Sequence, residues 1–67
     1  MAPKRIGIML KQLRDEKGLT QMELGKKAKV AHSYVALLEA GYRKNPSLAI
    51  VQRLAKALSV PVAELMQ

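Results

Sequence analysis

The stretch that decides the fold is Thr20-Gln21-Met22-Glu23-Leu24-Gly25-Lys26-Lys27-Ala28-Lys29-Val30-Ala31-His32-Ser33-Tyr34-Val35-Ala36-Leu37-Leu38-Glu39-Ala40-Gly41. It opens on a capping box: the Thr20 hydroxyl can accept from the Glu23 backbone N–H while the Glu23 side chain reaches back. Leu24 and Ala28 fall on one face of the short helix that follows, which ends near Lys27 or Ala28. Lys29, Val30 and Ala31 break the pattern, and a second helix is expected over about Ala31 to Ala40, closed by Gly41. At about 100° per residue, Val35 and Leu38 turn inward with Glu39 beside them. Ser33, Ala36, Leu37 and Ala40 turn outward, with His32 near the exposed N-terminal edge. Two short helices joined by a tight turn form a helix-turn-helix unit. Gly25 stands in the middle of the first of them, where glycine costs up to about 1 kcal/mol relative to alanine. That cost is accepted most readily where the second helix crosses close by.

On the N-terminal side, a helix is expected from about Pro3 to Lys17, with proline in its first turn and Gly18 closing it. Ile6, Leu10 and Leu13 make its apolar stripe, with Lys11, Asp15 and Glu16 largely away from it. On the C-terminal side, the polar loop Tyr42-Arg43-Lys44-Asn45-Pro46 leads to Ser47, a suitable N-cap. Leu48, Val51, Leu54, Ala55 and Leu58 then form one apolar face. A last short helix is expected from about Pro61 to Met66, carrying Val62, Leu65 and Met66. The chain thus reads as all-α, five helices in one domain covering residues 1–67, with no linker and no internal repeat.

Composition narrows the function. Twelve Lys and Arg against five Asp and Glu give a net charge of +7, which in so short a chain points to a polyanionic partner. With no cysteine and one histidine, His32, neither a disulfide nor a metal centre is expected, and no cofactor motif is present. The lack of cysteine fits a reducing cytoplasm. No apolar run is long enough to span a bilayer, and the N-terminus does not read as a signal peptide. A cationic membrane-active peptide would need one long two-faced helix, against which the repeated caps and glycines argue. Tyr34 and Tyr42 are the only rings of the Phe, Tyr and Trp set, too few for a single-strand stacking platform. Tyr34 is expected to pack on the helix flank or touch phosphate. No Ser, Cys or carboxylate arrangement supports His32 in acid–base catalysis, so an enzyme is not expected.

The major groove, about 12 Å wide, accepts one helix, so the second helix of the unit is suited to place its N-terminal side chains against base edges. The segments Gly18-Leu19-Thr20-Gln21-Met22-Glu23-Leu24, Leu38-Glu39-Ala40-Gly41, Asn45-Pro46-Ser47-Leu48 and Leu54-Ala55-Lys56-Ala57-Leu58, with Val30 and Val35 between them, resemble the Cro/CI-type (XRE-like) helix-turn-helix family. The resemblance runs from about Ile6 to Met66. It implies a compact five-helix bundle of the lambda-repressor-like type and a sequence-specific regulator binding double-stranded DNA. Carried over by position, it implies that Gln21 meets phosphate at the start of its helix. His32, Ser33 and Leu37 match base-facing positions, with Ala36 beside them. Arg43 and Lys44 match a loop on the sugar-phosphate backbone. Arg14 and Glu39 match an internal ion pair, which an inward carboxylate needs in any case.

The chain departs from the family pattern in three places. Lys29 stands where the turn usually has glycine, Ala31 where the recognition helix usually has a Ser or Thr cap, and Pro61 where another cap is usual. The base-facing set also lacks the bidentate readers Arg, Gln and Asn, so part of any specificity is expected from the basic flanks and from DNA shape. The resemblance further implies a homodimer, for which Ile8, Leu65 and Met66 are candidate exposed apolar residues, although Leu65 is equally suited to closing the monomer core. Stand-alone chains of this kind resemble restriction-modification controllers, phage repressors and antitoxins. The alternative reading is therefore a protein-interaction module that binds a toxin or another regulator, with DNA binding secondary.

Overall fold

The computed structural model describes residues 2–66, with side chains from Ile6 onward. Among these residues the chain forms five helices and no strand: α1 (Ala2–Glu16), α2 (Gln21–Ala28), α3 (His32–Ala40), α4 (Leu48–Leu58) and α5 (Val62–Leu65). The fold is therefore all-α, as the periodicity predicts.

The starts and stops follow local chemistry. Thr20 and Glu23 form both halves of the capping box: Thr20 Oγ1 accepts from the Glu23 N–H at 3.0 Å, and Glu23 Oε1 accepts from the Thr20 N–H at 2.8 Å. The Ser47 hydroxyl accepts from the Ile50 N–H at 3.2 Å. Ala31 and Pro61 provide no side-chain cap, so α3 and α5 begin on backbone bonds alone. Four helices close by one device, in which the residue after the stop turns left-handed and the next N–H reaches back five residues. Leu19 donates to Arg14 O, Val30 to Gly25 O, Tyr42 to Leu37 O and Val60 to Ala55 O. Glycine fills the left-handed position after α1 and α3, whereas Lys29 (φ 58°) and Ser59 (φ 59°) fill it after α2 and α4. The turn after α2 thus keeps the geometry that glycine usually serves and accepts the steric cost of a Cβ there.

The core gathers the inward stripe of every helix: Ile6, Leu10 and Leu13, then Leu24 and Ala28, Val35 and Leu38, Val51, Leu54, Ala55 and Leu58, and Leu65. α3 packs on α1 and α2, α4 on α2 and α5, and α5 returns to α1. One expectation is corrected, and one left open is decided. Leu48 is 65% exposed rather than part of the α4 core face, because it is the first residue of its helix, beside the loop, where no neighbour covers it. Leu65 is completely buried: α5 folds back so that this side chain plugs the α1–α4 end of the core, which removes it from any exposed apolar surface. Ile8 at 66% and Met66 at 42% remain exposed.

Glu39 lies on the inner side of α3 with its side chain only 4% exposed. Arg14 meets it side-on, Nε to Oε2 at 2.7 Å and Nη2 to Oε1 at 2.9 Å. Gln21 Nε2 donates to Oε1 at 3.0 Å, and Arg14 Nη1 donates to Leu19 O at 2.6 Å. The hydrogen bond to Glu39 raises the Arg14 pKa against the opposing effect of burial. A raised basic pKa contributes stability that is lost only as pH climbs through it, so the guanidinium stays charged throughout neutral pH. Among the described residues no buried side-chain nitrogen or oxygen lacks a partner.

Two stability measurements follow from this framework. Arg14→Met leaves the Glu39 carboxylate buried without its cation and is expected to cost about 3–5 kcal/mol in denaturant unfolding; a loss below about 1 kcal/mol would show the pair to be incidental. Lys29→Gly relieves the left-handed Cβ and is expected to raise stability by about 0.5–1 kcal/mol, the steric relief exceeding the added chain entropy. Unchanged or lower stability would mean that the Lys29 side chain contributes more than its backbone strain costs.

Candidate nucleic-acid interface

The candidate interface is built on α2, the turn Lys29-Val30-Ala31 and α3. An ideal Cβ built on Gly25 would lie 2.7 Å from the Val30 carbonyl oxygen and 3.2 Å from His32 Cα. Those are backbone atoms, so the start of α3 is seated directly on the glycine. The sequence reading anticipates this approach. It does not anticipate the matching one at the other end, where a methyl on Gly7 would run into the Leu38 carbonyl of α3. Glycine at position 7 in a long helix is a signal that was legible but unused.

With its inner side fixed in this way, α3 presents Ser33, Leu37 and Ala40 outward as the angular count requires, whereas Ala36, also counted outward, is half-buried. His32 and Ser33 are exposed in its first turn, Leu37 and Ala40 are exposed further along, and Tyr34 and Ala36 are half-buried on its flanks. Ala36 borders a shallow depression shared with Lys11, Gln21 and Ala40, so it faces the α1–α2 side rather than the crest of the helix. Arg43 and Lys44 are exposed in the loop after α3. The structure therefore brings His32, Ser33 and Leu37 onto one outward surface, with Arg43 beside it.

Gln21 is placed differently from a free surface side chain. It is half-buried, and its amide nitrogen is committed to Glu39. What remains for a ligand at this end is the backbone N–H of Gln21 and Met22, which have no intrahelical acceptor, since that of Glu23 is taken by the Thr20 hydroxyl. An anion there would meet main-chain donors and the positive end of the helix dipole.

A contact not foreseen from sequence joins the loop to the helix. The Arg43 guanidinium carbon lies 5.5 Å from the centroid of the Tyr34 ring, a cation–π contact worth about 0.5–1 kcal/mol at an exposed site. The Tyr42 and Arg43 N–H groups both donate to Leu37 O, at 2.9 and 3.2 Å, folding the loop back along α3. Residues nine positions apart meet only because Gly41 reverses the chain, and no periodicity encodes such a meeting. Among the described residues no group of three His, Cys, Asp or Glu gathers as a metal site.

Comparison with known proteins agrees with this geometry. The family model described as Helix-turn-helix matches residues 10–65. Over 61 residues the chain is 39% identical to the HTH-type transcriptional regulator SinR of Bacillus subtilis, covering 91% of this chain and 55% of that protein. A crystal structure of SinR, the master regulator for biofilm formation, in complex with DNA superposes with a TM-score of 0.90 at 39% identity, covering 92% of this chain and 98% of that one. The restriction-modification controller protein C.AhdI of Aeromonas hydrophila superposes with a TM-score of 0.88 at 38% identity, covering 94% of each chain. This chain belongs to the helix-turn-helix family of the Cro/CI type. It spans only 55% of the length of full SinR.

The Gly25 approach is testable apart from any ligand. Gly25→Ala gains helix propensity of about 1 kcal/mol but drives a methyl into fixed backbone. A net loss of about 1–3 kcal/mol is expected, with the amide resonances of Val30, His32 and Ser33 displaced in a two-dimensional NMR spectrum. A stabilised variant with an unchanged spectrum would show that α3 does not depend on the glycine.

Proposed function

We propose that the chain is a sequence-specific regulator of transcription that binds double-stranded DNA with α3 in the major groove. The observation that carries this reading is the outer side of α3. Its first turn is exposed and free of acidic side chains, while its inner side is held by the core and by the Arg14–Glu39 pair. The SinR–DNA complex, so similar in fold, supports it from outside.

In this reading His32 and Ser33 reach base edges, and Leu37, with Ala36 at its flank, offers apolar contact to thymine methyls. The first-turn backbone at Gln21 grips one phosphate, and Arg43, backed by Tyr34, grips another with Lys44. No described helix is long and apolar enough to cross a membrane, and a cytoplasmic location suits a DNA ligand. A homodimer on a two-fold-related site is proposed as the working form, with Ile8 and Met66 rather than Leu65 available to cover its apolar contacts.

Selection from a randomised duplex pool, followed by affinity against salt, tests the reading. A two-fold-symmetric site is expected, with log affinity falling against log salt by about 0.9 for each phosphate contacted. Replacing His32 and Ser33 by alanine is expected to relax the preferred base at their positions by about 1–3 kcal/mol of discrimination. Arg43→Ala is expected to weaken all sequences alike and to flatten the salt slope by about one phosphate. A pool with no enriched sequence would overturn the proposal, and an unchanged site in the His32/Ser33 variant would remove direct readout from it.

A further inference from the structure

A second charged surface lies where the C-terminal ends of α2 and α4 converge. A groove of about 520 Å³ opens there, with Lys27, Lys29, Arg53 and Lys56 around its rim and Ala28 and Ala57 in its wall. All four cations are exposed. None of the described residues lining the groove is a carboxylate, and both ion pairs found among the described residues belong to Arg14. The groove opens away from the outer side of α3 and shares with the candidate interface only its scaffold, α2 and Lys29 of the turn. Gly25 faces α3, and Lys27, two residues on, is turned about 200° around the α2 axis. α4, which supplies Arg53 and Lys56, packs chiefly on α2 and α5.

We propose that this groove is a docking site for an acidic polypeptide segment, one that carries carboxylates on either side of small apolar residues. Four unpaired cations around an apolar wall match such a segment in charge and in polarity. The backbone favours a polypeptide over a phosphodiester strand. Anion sites for phosphate are built from N–H groups at helix N-termini, whereas two helix C-termini meet here. Past the carbonyls of Gly25, Lys26, Ala55 and Lys56 taken by their stops, the last residues of each helix leave carbonyl oxygens without an intrahelical donor. A peptide brings N–H donors for those oxygens, and a nucleic-acid backbone brings none. The two left-handed stops that are not glycine, Lys29 and Ser59, both line this groove, so each strained position also contributes a polar side chain to it. The site would let a protein partner engage the chain while α3 stays free for DNA.

The test uses the whole chain labelled with 15N, titrated with a short blocked peptide in which Glu alternates with Ala and Leu. Saturable shifts are expected at the amides of Lys27, Lys29, Lys56 and Ala57, with His32 and Ser33 unmoved. Arg53→Glu with Lys56→Glu is expected to weaken the peptide about tenfold or more, since two attractions become repulsions, without altering affinity for the selected DNA site beyond its general salt-dependent part. If that variant does not fold, Lys27→Gln with Lys56→Gln removes charge without reversing it and carries the same test. Shifts that never saturate, shifts centred on His32 and Ser33, or a short duplex that moves the groove amides more tightly than the peptide would each overturn the proposal.

Discussion

A carboxylate on the inner side of a helix must be satisfied there, and Glu39 organises much of the structure through that requirement. Its two oxygens take two donors from Arg14 on α1 and one from Gln21 on α2. The remaining Arg14 nitrogen holds the carbonyl of Leu19 in the α1–α2 turn. One buried charge thus connects three helices and a turn. Burial of such a pair adds little stability over an apolar substitute of the same shape. Its distinctive effect is directional: the side-on Arg–carboxylate geometry is planar and two-pronged, and it is satisfied at only one rotation of α3 about its own axis.

Steric contact constrains the same helix by other means. Gly25 admits the backbone at the start of α3, and Gly7 admits the Leu38 carbonyl near its end. Apolar packing alone tolerates small slides between helices, because Leu and Val surfaces accommodate one another. Backbone against glycine leaves no such latitude. The lack of a side-chain cap at Ala31 is therefore less of a weakness than it looks in isolation. The position of α3 is imposed by α1 and α2, and its own N-terminus has little left to specify.

These two kinds of constraint explain what could be read in the sequence. The capping box at Thr20 and Glu23, the stop at Gly41 and the inward stripe Leu24, Ala28, Val35 and Leu38 are local or periodic, and the structure shows each of them as read. Helix ends differ by a residue or so, as at Glu16 and His32, where capping is shared between neighbours. Leu48 shows the limit of such patterns: periodicity assigns a face but is blind to where a helix emerges from its neighbours' cover. The Arg14–Glu39 pair came through family resemblance and the cost of an inward charge. Gln21 completing it, and Arg43 lying over Tyr34, are tertiary meetings that no spacing announces. The commitment of Gln21 to Glu39 alters the proposed interface most, since it moves any phosphate contact from side chain to main chain.

The distribution of charge follows from the same economy of acids. Glu39 is paired with Arg14, Glu23 is spent on the Thr20 N–H, Asp15 lies 3.4 Å from Arg14, and Glu16 accepts from Gln12. Most of the few carboxylates are thereby tied to local structure, while every described Lys and Arg side chain other than Arg14 is exposed. Such a field draws in polyanions from a distance but scarcely distinguishes among them. Discrimination must come at contact, from shape and hydrogen bonding. On the α3 side the proposed contact surface is an exposed ridge with no acidic side chain in its first turn, flanked by Arg43 and Lys44. On the far side of α2 it is a cationic groove with an apolar wall and helix carbonyls, which suits the proposed acidic peptide. On the proposed reading a single long-range attraction is divided by two contact surfaces of different chemistry, and the fixed rotation of α3 on α2 keeps them apart.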